Sequence, residues 1–465
     1  VTALQHAAER FADLAWGPWL LVLLLGGGFY FLLRSRFLPF RYLGHGVALL
    51  RGKHADDNEP GQISHFQALS AALAGTIGLG NIGGVALAIV IGGPGAIFWM
   101  WMTAILGIAT KFFTCTLAVM YRKTDTDGEH RGGPMYVITE GLGPRWRPLA
   151  VMFAVFGMLG ALPVFQTNQL VQVLREVVLA DLVGIALPDD PLLLNLALGV
   201  PIAAVAALVI VGGIQRIARV AASLVPLMSV IYLCAVLTAL ALNAGAVPAA
   251  LGLIMQDAFS AEAAAGGSLL SMILYGVQRG AFSNEAGIGT EALAHGAART
   301  SEPVREGLVA MLGPIVDTLL ICTATALMIL LSGVWQSEDA DGITLTATAF
   351  VALLGKGGAV VLVVCVLCFA ITTIVTYSFY GAECARFLFG GRALGTYRAI
   401  YIGFILVAAV VSLKTAVGFI DGAYALMAIP TMVSALLLAP KVTAAARDYF
   451  GRLDADRQHA ARRHS

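Results

Sequence analysis

Long, unbroken apolar runs recur along this chain, and they leave few folds open. The runs are continuous rather than alternating, so they read as helices and not as barrel strands. Each is close to the ~20 residues needed to cross a bilayer. Hydrophobic residues make up 58% of the 465 and charged residues only 12%, about half the ~25% of soluble domains. With so little charge, a water-soluble globule of this size could not build its polar surface. A mean hydropathy of +0.83 agrees. A net charge of +1 with no basic tract in the body excludes a nucleic-acid partner, and disorder and coiled coil are excluded by the same composition. Membrane lipid is the expected surrounding.

The spans are placed at 16–33, 66–91, 95–119, 149–173, 193–214, 220–243, 267–290, 307–332, 358–381, 398–413 and 419–439, eleven in all. The distribution of Lys and Arg supports that count. Loops 34–65, 120–148, 215–219, 291–306, 382–398 and 440–465 hold 23 of the 29, whereas the opposite side has only Arg10, Arg175, Lys356 and Lys414. Missing one span in mid-chain would move every later loop to the other side. By the positive-inside rule the N-terminus is outside and the C-terminus cytoplasmic. The run Trp19–Leu33 lacks a basic leader and a small-residue cleavage site, so it is expected to remain as a membrane helix.

Setting aside 16–33 as an extra helix leaves ten spans, divisible into five-helix repeats over 66–243 and 267–439. Five is odd, so the second unit must be inverted relative to the first. Inverted repeats with interrupted helices at corresponding positions mark secondary transporters. Residues 1–439 therefore read as a single all-α polytopic membrane domain, and 440–465 as a cytoplasmic tail able to touch anionic lipid. Segments 39–54 and 134–148 read as amphipathic and lie along the inner face.

The first helix of each repeat carries the signature of interruption. One reads Ala74-Gly-Thr-Ile-Gly-Leu-Gly-Asn-Ile-Gly-Gly84, with five glycines. The other reads Gly276-Val-Gln-Arg-Gly-Ala-Phe-Ser-Asn-Glu-Ala-Gly-Ile-Gly289, with four. Glycine eases unwinding, which frees carbonyls for a cation and N–H groups for a carboxylate. A zwitterionic amino acid suits both ends. Gly78-x-Gly80-x-x-Gly83 resembles a dinucleotide fingerprint, but no strand precedes it. For Gly83, Gly84, Gly287 and Gly289 close helix packing is an equal alternative. Asn81, Asn284 and Glu285 are too costly at this depth to be packing residues alone.

Five segments closely resemble the alanine or glycine:cation symporter family. They are Gly92-Gly-Pro-Gly-Ala-Ile-Phe-Trp-Met-Trp-Met-Thr-Ala-Ile-Leu-Gly-Ile-Ala-Thr110, Gly75–Asn81, Gly132-Gly-Pro-Met-Tyr136, Phe282-Ser-Asn-Glu-Ala-Gly287 and Asp317-Thr-Leu-Leu-Ile-Cys-Thr323. Similarity continues to Leu426-Met-Ala-Ile-Pro430. The resemblance implies a LeuT-type fold of 5+5 inverted helices plus one N-terminal helix. It also implies uptake of small neutral amino acids, alanine or glycine, coupled to Na⁺ and occasionally H⁺. Gly78-Leu-Gly-Asn81 further resembles the unwound first helix of neurotransmitter:sodium symporters. By that similarity Asn81, the Thr76 carbonyl and Asn284 form one cation site touching the substrate carboxylate. Carbonyls near Ala74 and Ile77 with the hydroxyls of Thr372 and Thr373 form a second, unless those hydroxyls bond back to their own helix turn. Thr76, Gly78, Gly80, Gln166, Phe282, Ser283 and Asn284 are the expected substrate contacts.

Other polar residues are placed more loosely. Asn168 reads as a link between helices, Asp317 and Asp421 as partners of polar neighbours or proton carriers, and Glu285 equally as a partner of Arg279 across the break or as a ligand. Thr114, Pro163, Thr376-Tyr377 and Thr431 depart from the family pattern. The six cysteines, including Cys365-x-x-Cys368, read as small buried hydrophobes. Na⁺ is the expected coupling ion, no organic cofactor is implied, and a monomer in the cytoplasmic or inner membrane is expected. A channel would favour a pore repeated by symmetry, and a membrane enzyme would need a nucleophile or metal constellation that these spans lack.

Overall fold

The computed structural model describes residues 6, 10–12, 14–52, 58–125, 128–260, 268–336 and 342–463, with the side chains of 268 and 456–463 excepted. The side chains of Arg457, His459, Arg462 and Arg463 in the tail, and His464 altogether, lie outside what is described. Helix dominates. The main elements are α1 (Pro18–Arg34), α2 (His65–Thr76), α3 (Gly83–Gly92), α4 (Ala96–Met120), α5 (Arg147–Gly160) and α6 (Val164–Val173), which continues through Leu182. There follow α7 (Leu192–Ile210), α8 (Gly213–Leu242), α9 (Val247–Ala258), α10 (Ser268–Asn284), α11 (Glu291–His295) and α12 (Pro303–Ser332). The last are α13 (Gly342–Phe389), α14 (Leu394–Val410) and α15 (Leu413–Arg463).

Eight helices among the described residues are long and apolar enough to cross a membrane, and nine if the bent pair α2–α3 is one span. The other two expected spans fall on shorter helices, α1 and α10. Several boundaries differ from the sequence reading. The basic loop expected at 215–219 is already helical, because α8 starts at Gly213. α13 extends well past 358–381 and bends at Gly355, whose φ of 66° breaks the helical path. Alongside the helices, a two-residue hairpin pairs Lys123 with Arg131 and Thr124 with His130, so the chain is not purely helical.

Burial separates centre from rim. In α4, 89% of the apolar window is buried, against 33% in α7 and 28% in α14. α4 is therefore a central post, and α7 and α14 turn most of their apolar surface outward. Two glycines let neighbours reach that post. A Cβ on Gly276 of α10 would lie 2.6 Å from the Ala96 carbonyl oxygen, and one on Gly307 of α12 would lie 2.7 Å from that of Phe112. Small residues at such crossings allow the backbone approach that holds helices together in lipid.

Polar ties fasten one end of the bundle. Arg131 of the hairpin donates to Asp125 (2.9 Å), Glu129 and Glu383 of α13 (2.8 Å), and Arg386 also reaches Asp125 (3.3 Å). Burial opposes the Arg131 charge, but Glu383 and the other carboxylates outweigh it and raise its pKa. At the same end Glu306 of α12 bonds His65, the first residue of α2, and His295, the last of α11 (2.5 Å). Both interrupted helices are thus tied to one carboxylate.

Candidate functional site

α2 starts with a capping box, in which Ser64 Oγ accepts from the Gln67 N–H and Gln67 Oε1 accepts from the Ser64 N–H. It stops at Thr76. Gly78 is extended, a short turn covers Leu79–Asn81, and α3 departs at 56° to α2. Asn81 holds the turn by accepting from the Gly78 N–H at 3.0 Å. Two glycines are required here by close approach. A Cβ on Gly78 would meet Thr373 Oγ1 at 2.6 Å, and one on Gly80 would meet the Phe282 ring at 2.8 Å.

The second break follows α10. Asn284 Oδ1 accepts from the Ala286 N–H at 2.9 Å, and Glu285, Gly287 and Gly289 have φ of 55°, 87° and 97°. A non-glycine residue in that region carries strain of ~1 kcal/mol or more and needs support. Glu285 has it. Its carboxylate accepts from Tyr377 (2.6 Å), Tyr424 (3.2 Å) and Thr290. The expected pairing of Glu285 with Arg279 does not occur. Arg279 instead pairs with Asp421 of α15, which also accepts from Gln278 at 2.9 Å. Arg279 lies within α10 and Glu285 begins the unwound turn that follows it, and α15 supplies the carboxylate that Arg279 meets.

The two breaks meet at Asp317. Asn81 Nδ2 donates to Asp317 Oδ1 at 2.6 Å and to Ser283 Oγ at 3.2 Å. The hydroxyls of Ser283 and Thr318 each donate to Asp317 Oδ2 at 2.7 Å, and Asn284 Nδ2 donates to Thr318 at 3.3 Å. Asn81, Ser283, Asn284, Asp317 and Thr318 are all fully buried. A buried carboxylate bonded only to neutral donors is an uncompensated charge, a setting that favours a cation. Ser283, Asn284 and Asn81 are thus brought together, and Asp317 joins them at the centre. Sequence reasoning placed Asp317 only loosely; its position in an apolar run was the available signal.

The second expected cation cluster divides. Thr373 Oγ1 lies 2.9 Å from the Ala74 carbonyl at the end of α2 and 2.9 Å from the Phe369 carbonyl of its own helix turn, so its one proton is shared between the bridge and the back-bond. Thr372 instead donates to the carbonyls of Cys368 (2.8 Å) and Phe369 (3.0 Å) and lies against Met228 of α8. Ile77, at the break, is buried beside them, and the last turn of α2 leaves carbonyls with no following helical N–H.

The side-chain wall is aromatic. Phe282 packs against Phe165 (ring centroids 5.3 Å apart) and Tyr424 (5.5 Å). Thr76 Oγ1, Gln166 Oε1 and Thr376 Oγ1 are buried without a hydrogen-bond partner among the described residues. Such polar atoms are costly unless a guest completes them. Asn168 donates to the Val411 carbonyl at 2.5 Å, joining α6 to the turn after α14. Two departures from the family pattern lie together: Thr114 donates to Glu291 at 3.2 Å and Thr431 to the Ile288 carbonyl at 2.8 Å, and both line one cavity of about 10 Å³.

Comparison with known proteins follows the same outline. The model of the sodium:alanine symporter family matches residues 1–463. The chain is 42% identical to the sodium/alanine symporter AgcS of Methanococcus maripaludis over 435 residues, 91% of this chain and 92% of that one. It is 36% identical to the probable sodium/glutamine symporter GlnT of Bacillus subtilis, covering 96% and 91%. Among solved structures it superimposes on MhsT in complex with L-phenylalanine with a TM-score of 0.60 at 13% identity, covering 83% of this chain and 98% of that one. The last likeness concerns the fold alone.

Proposed function

Because the chain belongs to the sodium:alanine symporter family, a family of multi-pass membrane transporters, we propose that it imports small neutral amino acids, alanine and glycine, together with Na⁺. The arrangement in the membrane is eleven helices, α1 followed by two inverted repeats of five, with the N-terminus outside and the C-terminus in the cytoplasm. The observation that carries this reading is the Asp317 cluster, where polar groups of both interrupted helices converge on one buried carboxylate. Asn81, Asn284 and the Thr76 carbonyl hold one Na⁺ beside the substrate carboxylate, and Asp317 balances its charge. Thr373, with the carbonyls of Ala74 and Ile77, offers hard oxygen ligands for a second alkali cation.

The substrate lies between the breaks. Its carboxylate takes the N–H groups of Leu79 and Gly80 in the unwound segment and the neighbouring Na⁺. Its ammonium group takes the unpartnered oxygens of Thr76 and Gln166. Phe282 walls the side-chain pocket, and so close a wall favours a methyl group or hydrogen. Transport requires no covalent step. Alternating access follows if the rest of the bundle rocks about the fixed breaks.

The test uses purified protein in liposomes. An inward Na⁺ gradient is expected to drive alanine or glycine accumulation. Uptake driven by a proton gradient with no response to Na⁺ would overturn the ion assignment. Uptake restricted to larger amino acids would overturn the substrate assignment.

A further inference from the structure

α1 ends in an unusual turn. Arg36 and Phe37, neither of them glycine, have φ of 54° and 58°. The turn is closed by the Arg36 N–H to the Leu33 carbonyl (2.9 Å) and the Phe37 N–H to that of Leu32 (3.0 Å). It swings the chain into the short helix Leu38–Arg41 and brings Arg34, Arg36 and Arg41 to one cleft. The opposite wall is the extension of α15, which contributes Arg447. The cleft measures about 560 Å³. None of these four arginines has a hydrogen bond or salt bridge among the described residues. Asp454 is the one carboxylate on the lining, while nearby Asp448 is held by Arg452 at 3.1 Å.

The walls are fixed. Tyr42 stacks on Phe450 with ring centroids 3.7 Å apart, and His45 bonds the Tyr449 hydroxyl at 2.7 Å. These contacts lock α15 against the helix Leu43–Leu50. Phe29 (54% exposed) and Leu33 (49%) stand one turn apart on the outward face of α1 and lead toward the cleft, with Phe37 (49%) at its edge. Four arginines with no ion pair among the described residues thus sit, with Asp454 on the same lining, at the end of an apolar strip.

We propose that this cleft binds an anionic glycerophospholipid, with its phosphate held by Arg34, Arg36, Arg41 and Arg447 and its acyl chains lying along Phe29 and Leu33. Guanidinium groups match phosphate oxygens in a two-pronged fashion, and basic pockets at membrane level recruit acidic headgroups. The bound lipid joins α1, the helix outside the two repeats, to the extension of α15. Transport by the central site is not a premise of this inference.

The full chain, purified in detergent, is supplied with phosphatidylcholine alone or with equal parts phosphatidylcholine and phosphatidylglycerol, and retained lipid is read by native mass spectrometry. Wild type is expected to retain phosphatidylglycerol preferentially. Each arginine removed in the series R447Q, R41Q/R447Q and R36Q/R41Q/R447Q should reduce that preference about fivefold. Equal retention of the two lipids, or an unchanged preference in R447Q, would overturn the proposal. So would inorganic phosphate raising the melting temperature as much as phosphatidylglycerol does, which would assign the cleft to a free anion. If the triple variant aggregates, R447Q alone decides, since its exposed side chain has no packing role. Loss of Na⁺-driven uptake with lipid preference intact would count against the transport reading and not this one.

Discussion

At the scale of single residues, hydrogen-bond capacity ranks the candidates. Asn81 is engaged at both ends: its carbonyl oxygen fixes the turn, with one lone pair left over, and its amide nitrogen reaches Asp317 and Ser283. Asn81→Ala removes all three and leaves Asp317 short of a donor, at a cost of ~1–3 kcal/mol. The half-saturating Na⁺ concentration for uptake is expected to rise at least about tenfold, and unchanged Na⁺ kinetics would remove Asn81 from the cation site. Gly80 makes a complementary prediction. Gly80→Ala places a Cβ against the Phe282 ring, 2.8 Å away. Uptake should fall about tenfold or more, the scale of a small overpacking penalty, and Phe282→Leu on that background should restore part of it. A double variant no better than Gly80→Ala alone would mean that the glycine serves another contact. The polar residues here were legible in the sequence because ionisable and amide groups at membrane depth are costly. Their partners were not. Glu285 and Arg279 stand six positions apart, yet beyond the local Thr290 bond their partners are Tyr377, Tyr424 and Asp421, more than ninety residues away. Spacing within one segment carries no information about which distant helix packs against it.

Elements show which breaks are built in. The glycine density at 74–84 and 276–289 indicated where helices would stop, and α2 and α10 stop there. The structure adds what keeps the second break open, namely a supported Glu285 and a tight contact at Gly289. A Cβ on Gly289 would lie 2.5 Å from Thr431 Oγ1, at a φ of 97°. Gly289→Ala therefore meets both backbone strain and a clash. It should destabilise the protein by about 2 kcal/mol or more, read as a lower melting temperature in detergent. A variant as stable as wild type would show that this turn can relax. Longer elements were harder to anticipate. Hydropathy could not foresee that α13 would run to Phe389 or that α15 would continue far beyond 439, because those extensions rest on ion pairs and aromatic contacts rather than on a continuous apolar run.

For the whole molecule, the asymmetry of basic residues bears on orientation, and it can be tested without transport. With an impermeant thiol reagent on a background lacking native cysteines, Lys414→Cys should label from outside intact cells. Arg299→Cys should label only after permeabilisation, and the reverse pattern would overturn the topology. Composition named the solvent at once, whereas the tie between the two interrupted helices had to be seen. That tie has a logical consequence. The two oxygens of Asp317 are divided, one facing Asn81 of the first break and the other Ser283 of the second. A cation drawing on that carboxylate alters the grip on both helices in a single event. If Na⁺ binds there as proposed, one ion would engage both helices together, and the carboxylate would serve as a shared latch on the two breaks.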